Sequence, residues 1–120
     1  VGKYANYVGK IELKVKDFEK EIKPKVGDGR RFLKLITAAG ENKEILFDKF
    51  YPFMLDLLLR DEPELPQEDK QELEMFIDLN LLTFLNEAMI SFGMTTRTEL
   101  EQQKKDTLQA ISKNVSPQAQ

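Results

Sequence analysis

Between Pro66 and Gly93 the apolar residues recur at the 3.6-residue period of an α-helix, and they do so on two faces. Leu73, Phe76, Ile77, Leu81, Phe84, Leu85, Ala88 and Phe92 mark one broad stripe. Met75, Leu79, Leu82, Met89 and Ile90 mark a second. The ends carry matching signals: Pro66 suits a first helical turn, Glu68 and Asp69 favour the positive end of the dipole, and Gly93 closes the segment. One long helix over about 67–92 is the expectation. Two apolar faces require that this helix be central in a helix-on-helix fold, or that one face await a partner.

The rest of the chain follows the same period, with one exception. Ile11, Leu13 and Val15 alternate with Glu12, Lys14 and Lys16, which is strand period. Val8, Ile11, Val15, Phe18 and Ile22 also fall at helical spacing, but Leu13 lies off that stripe and favours the strand. Lys16-Asp17 reads as a turn and Phe18–Ile22 as a return strand, ended by Pro24. A lone hairpin is marginal in water, so it must pack on helices. Phe32, Leu33, Leu35, Ile36 and Ala39 give a helix over about 29–39, with Asp28 as its N-cap and Gly40 after its end. A further helix over about 42–60 contains Pro52, which should kink it or split it near Tyr51. Asp61–Pro66 is an acidic, proline-punctuated loop. Thr96-Arg97-Thr98-Glu99 is a capping box that opens a mostly polar helix over about 97–112.

The expected fold class is therefore mainly α: a small helical bundle of four to five helices with one N-terminal β-hairpin. Residues 1–9 form an N-terminal arm, 10–112 a single helical domain with the hairpin at 10–23, and 113–120 a disordered tail. A chain of 120 residues is long enough to bury about two thirds of its unfolded surface without staples.

Composition removes most chemistries. Without Cys there is no thiolate nucleophile, disulfide framework or Cys-ligated metal, and without His no Ser–His or Cys–His pair and no imidazole ligand. The carboxylate pairs Glu62/Glu64 and Glu72/Glu74 lie in charged stretches with no apolar pocket around them. Glu87 is the best candidate for a buried acid, since Phe84, Leu85, Ala88 and Ile90 surround it; the plainer expectation places it outward on the polar strip. The turn Gly27-Asp28-Gly29 beside Arg30 and Arg31 lacks the long glycine-rich signature of a phosphate loop. No catalytic residue, cofactor or metal is expected. Nor is a membrane span, since no apolar run reaches 18 residues.

Charge is divided along the chain: residues 1–34 carry a balance of +5 and residues 35–120 one of −8. Eight acids stand between Asp61 and Asp78 with Lys70 as the only base. Such a division gives two solvated faces of opposite sign, or a head-to-tail contact between copies. Self-association is expected, because the apolar helix faces exceed what a thin hairpin and a polar last helix can cover. The alternative function is a small helical regulator or nucleic-acid-associated adaptor, with Lys14, Lys16, Lys20, Lys23, Arg30 and Arg31 on phosphates. Five interleaved acids and a net charge of −3 count against it, so nucleic acid is not the expected partner.

The order of elements resembles a known family. A hairpin ending in Lys-Pro-Lys is followed by Gly27-Asp28-Gly29-Arg30-Arg31-Phe32-Leu33-Lys34-Leu35, an apolar helix, the acidic loop and Glu72-Leu73-Glu74-Met75-Phe76-Ile77-Asp78-Leu79-Asn80. Ile90-Ser91-Phe92-Gly93, Thr95-Thr96-Arg97 and a charged tail complete it. Over roughly residues 10–108 this resembles the short tail assembly chaperones of long, flexible-tailed bacteriophages and prophages, the siphophage type. The resemblance implies a non-enzymatic chaperone of the host cytoplasm that is not part of the finished virion. Its partners would be the tape measure protein, a long helical rod kept soluble by the chaperone, and the tail tube protein that displaces it. An amphipathic rod needs its apolar seam covered, and surplus apolar helix faces can cover it. The partner-binding residues expected on this reading are Phe53, Met54, Leu57 and Leu58 on the second helix and Met75, Leu79, Leu82 and Met89 on the third.

Overall fold

The alternating segment at the N-terminus is a hairpin. In the computed structural model, which describes the backbone of residues 2–115 and the side chains of residues 2–109, β1 (Ile11–Val15) pairs antiparallel with β2 (Phe18–Ile22). Ile11 lies opposite Ile22 and Val15 opposite Phe18. This register puts Ile11, Leu13, Val15 and Ile22 on one buried face, as period 2 demands. The two-residue loop holds Lys16 at φ +56°, where a side chain costs about 1–2 kcal/mol and glycine costs little. Lys16→Gly relieves that strain and adds entropy to the unfolded chain. We expect a net gain of about 0.5 kcal/mol in urea denaturation; a loss of stability would show that the lysine is not strained.

A single turn, α1 (Ala5–Val8), precedes the hairpin within the N-terminal arm. After it come α2 (Asp28–Ala39), α3 (Lys43–Leu59), α4 (Gln67–Leu79), α5 (Leu81–Ser91) and α6 (Arg97–Val115). The architecture is mainly α, a small helical bundle with one hairpin, as the periodicity requires. It has six helices among the described residues rather than four or five. The hairpin solves its own stability problem by laying β1 along α5. Ser91 of α5 seals the outer edge of β1: its Oγ accepts from Glu12 N at 3.2 Å and donates to Glu12 O at 2.9 Å. An edge occupied at this point is a poorer template for another strand.

One sequence expectation holds in outline and another needs correction. The helix expected over about 42–60 is the single helix α3, and Pro52 lies inside it without splitting it. Its ring faces solvent, while Phe50, Phe53, Met54, Leu57 and Leu58 are buried on both sides of it. Packing that many large side chains outweighs the ~3 kcal/mol that an interior proline costs a helix. The expected helix over 67–92 is instead two helices that meet at Asn80, whose φ −125° and ψ 29° are not helical. Asn80 satisfies the bend itself. Its Nδ2 donates to Phe76 O at 3.0 Å, and its backbone N–H is shared between Phe76 O and Ile77 O. Asparagine competes for backbone partners in this way, and the bend lets α4 and α5 bury different stripes.

The core joins the hairpin face to α2, α3, α4 and α5. Phe32, Phe50, Phe53 and Phe92 cluster at one end, and Phe18, Phe76 and Phe84 at the other. Helix ends are closed by the expected devices. Gly93 at φ +76° completes a Schellman turn, with Met94 N on Met89 O and Gly93 N on Ile90 O. The capping box is reciprocal: Thr96 Oγ1 accepts from Glu99 N, and Glu99 Oε2 accepts from Thr96 N. The last helix extends to Val115, past the expected end at 112, which takes 113–115 out of the expected tail. Residues 116–120 of that tail lie outside the described residues.

Candidate functional site

The bend at Asn80 also decides what faces outward. Leu73, Phe76 and Ile77 of α4 and Phe84, Leu85 and Ala88 of α5 turn toward the core. The residues left over, Met75, Leu79 and Leu82, are 65%, 75% and 59% exposed. Met75 and Leu79 are neighbours at i, i+4 on α4, and Leu82 follows in the first turn of α5. They form an apolar strip across the corner between the two helices. Glu68, Glu72 and Asp78 are exposed beside it on α4, so the strip has an acidic rim. Glu74 and Asp78 border α3 as well: burial pushes the Tyr51 hydroxyl up, and these two carboxylates push it further.

The expected partner-binding residues therefore separate into two sets. Met75, Leu79 and Leu82 lie together on the surface. Phe53, Met54, Leu57 and Leu58 are in the core, each 4% exposed or less. The physical reason is the position of α3, which packs on α2, α4 and α5 and keeps little apolar surface for a partner. Met89 is half-buried against the same core. Helical periodicity marked all eight as apolar; only the order of packing tells which of them is left over.

Two acidic residues occupy unexpected places. Glu87 is 6% exposed, against the expectation that it points outward. Arg97 reaches back from the start of α6 and holds it with both guanidinium nitrogens, at 3.0 and 3.1 Å. That hydrogen bond, with the charge of Glu87, raises the Arg97 pKa above its ordinary value. Asp28 is the first residue of α2 rather than its N-cap, a position taken by Gly27 at φ +100°. Its carboxylate fills the Gly27-Asp28-Gly29 turn, accepting from Lys25 N at 2.7 Å and from Arg60 at 2.8 Å twice. An anionic ligand at this turn would meet a carboxylate. The sequence signal for Asp28 was its place between two glycines; nothing nearby in sequence pointed to Arg60.

Two of the basic residues of the first third are held by neighbours within the chain. Lys20 is held by Leu58 O and Glu62, and Arg31 by Asp56 with its guanidinium over the Phe53 ring. A concavity of about 490 Å³ lies between α1 and the end of β2 and is lined by Val8, Ile22 and Pro24 with Lys10, Glu21 and Asp61 at its edge. Among the described residues no group of three or more Asp or Glu is placed to hold a metal ion, and no helix is long and apolar enough to cross a membrane. Among the described residues, Met75, Leu79 and Leu82 are three exposed large apolar side chains contributed by two adjoining core helices. Comparison of the chain with protein-family models, with curated proteins and with solved structures finds no match.

Proposed function

We propose that this protein is a non-enzymatic assembly chaperone of the long-tailed phage type, whose partner is a long amphipathic helical rod, the tape measure protein. The observation that carries the reading is the exposed strip Met75, Leu79 and Leu82 on the corner between α4 and α5. A rod helix presents apolar residues at i, i+3, i+4 and i+7, and such a helix lies along a strip of this kind. Many copies along one rod would keep its seam out of water until the tail tube protein replaces them. The resemblance over residues 10–108 supplies the identity of the rod and of its successor; the strip supplies the contact.

Co-expression with the rod protein encoded beside this gene tests the proposal. The rod should remain soluble and copurify, and moderate salt should weaken the complex only modestly, because the contact is mainly apolar. Leu79→Glu places a charge in the middle of the strip and should return the rod to the insoluble fraction. A rod that stays insoluble with the parent chain, or that binds Leu79→Glu as well, would overturn the proposal.

A further inference from the structure

The hairpin has two outer edges, and α5 occupies the edge of β1. There the N–H and C=O of Glu12 point away from β2, to Ser91. Backbone groups alternate in direction along a strand, so Ile11, Leu13 and Val15 bond to their partners Ile22, Lys20 and Phe18. Glu19 and Glu21 must then aim their N–H and C=O groups out of the sheet, on the far side of β2. Among the described residues none of these four groups has a hydrogen-bond partner. Just beyond the strand, Lys23 O is taken by Arg60 at 3.1 Å, so the open stretch is Glu19 to Glu21.

Acids surround this stretch. The Glu19 and Glu21 side chains stand on the exposed face of the hairpin. On the other face Lys20 turns inward, and its ammonium is already held by Leu58 O at 2.8 Å and Glu62 at 3.0 Å. Glu62 belongs to the acidic loop of residues 61–66, which this contact brings beside the edge. The bases near the two glutamates lie toward β1. Lys14 is opposite Glu19, and Lys10 meets Glu21 at 3.5 Å with side chains 63% and 62% exposed. An ion pair so exposed is worth little, and Glu12 opposite Glu21 restores the excess of acid. The side of both glutamates that faces away from β1 is unmatched.

A second copy of β2 is the wrong occupant. Antiparallel pairing about Lys20 sets Glu19 opposite Glu21 twice, and like charges directly opposite are destabilising. Charge thus closes the edge to its own kind, while its backbone groups stay open. We propose that the β2 edge takes an extended, basic segment of another protein as a third, antiparallel strand, with Lys or Arg at the two positions opposite Glu19 and Glu21. The four backbone groups supply affinity, and the two carboxylates select a segment whose bases alternate. The residue between the two bases falls across from Lys20, on the side of the acidic loop. This surface shares no residue with Met75, Leu79 and Leu82, and the inference does not rest on the proposed function, so either can fail without the other.

The test is amide hydrogen exchange of the full chain, read residue by residue by NMR, with a blocked peptide that carries lysine at alternate positions and threonine between them. In the free protein the Glu19 and Glu21 amides should exchange fast, and those of Lys20 and Ile22, bonded to β1, slowly. Saturating peptide should slow Glu19 and Glu21 by roughly tenfold or more. The same peptide with its lysine amides N-methylated keeps its charge and loses its donors, and should bind about tenfold more weakly or worse. A peptide with glutamate in place of lysine should also fail, and should bind the double variant Glu19→Lys with Glu21→Lys. Both positions are exposed, so that variant should keep the parent's circular dichroism. Slow Glu19 and Glu21 amides in the free chain would mean that the edge is already occupied. Undiminished binding of the N-methylated peptide, or protection confined to residues 61–78, would mean charge attraction without a strand. Each of these results, like a lysine peptide that does not bind, overturns the proposal.

Discussion

Phe32→Ala is expected to destabilise the fold by about 3–5 kcal/mol. Phe32 is fully buried and sits between three other rings. Its centroid is 4.9 Å from Phe92 and 5.6 Å from Phe53, both stacked, and 6.1 Å from Phe50 edge-on. It thus ties α2 to α3 and to the C-cap of α5 at once. Truncation removes the transfer energy of the ring and opens a cavity that three rigid neighbours cannot fill. A domain of this size has about 5–15 kcal/mol in all, so the loss is roughly a fifth of the total or more. With a urea slope of roughly 1–3 kcal/mol per molar, the midpoint should fall by about 1–5 M. Leu33 is the control: it is next in sequence, equally apolar and 55% exposed. Leu33→Ala should stay within about 0.5 kcal/mol of the parent. Equal losses at the two positions would mean that this ring cluster does not organise the core.

That contrast shows what the sequence could and could not reveal. The sequence puts Phe32 and Leu33 together on the apolar face of α2, and only packing buries the first and leaves the second exposed; the hairpin was legible because Leu13 fits period 2 alone. Periodicity is silent where a segment is apolar nearly all round. In α3 it marked Phe53, Met54, Leu57 and Leu58 without saying that neighbours on three sides would bury them all. In 67–92 it marked two stripes and did not say that a bend would separate them. Asn80 was visible as a polar interruption, yet a single asparagine bends a helix only where the packing on both sides rewards the bend. Most of the surviving site, Met75, Leu79 and Leu82, was legible as the second stripe. Its acidic rim was legible too, as the run of acids before Asp78. Pairs distant in sequence were not legible. Glu87 and Arg97 lie on separate helices, and Asp28 and Arg60 are joined only because α3 returns to the start of α2.

The Asp28–Arg60 pair should give the other large effect. The side chains are 5% and 8% exposed, and two parallel hydrogen bonds of 2.8 Å join them. Arg60 also donates to Lys23 O at 3.1 Å, so it fixes the exit of the hairpin, the start of α2 and the end of α3. Arg60→Met leaves a buried carboxylate without its cation, which costs about 3–5 kcal/mol. Asp28→Leu combined with Arg60→Met removes both charges and should recover most of that loss. The pH dependence separates the pair from simple packing. In the parent the hydrogen bond from Arg60, opposed by burial and aided by Lys25 N, lowers the Asp28 pKa. A lowered native value contributes stability in full above the unfolded pKa of about 3.9 and loses it as pH falls through the native value. In Arg60→Met burial is left without its main opponent, and the Asp28 pKa should rise above the unfolded value. The sign then reverses: protonation of Asp28 stabilises the variant, and that gain is lost as pH rises. The difference between parent and Arg60→Met should therefore be largest near neutrality and shrink steadily on acidification toward about pH 3. Urea denaturation at a series of pH values measures it. A difference that is constant with pH would mean that Arg60 acts through its packing and its bond to Lys23, not by compensating the buried charge of Asp28.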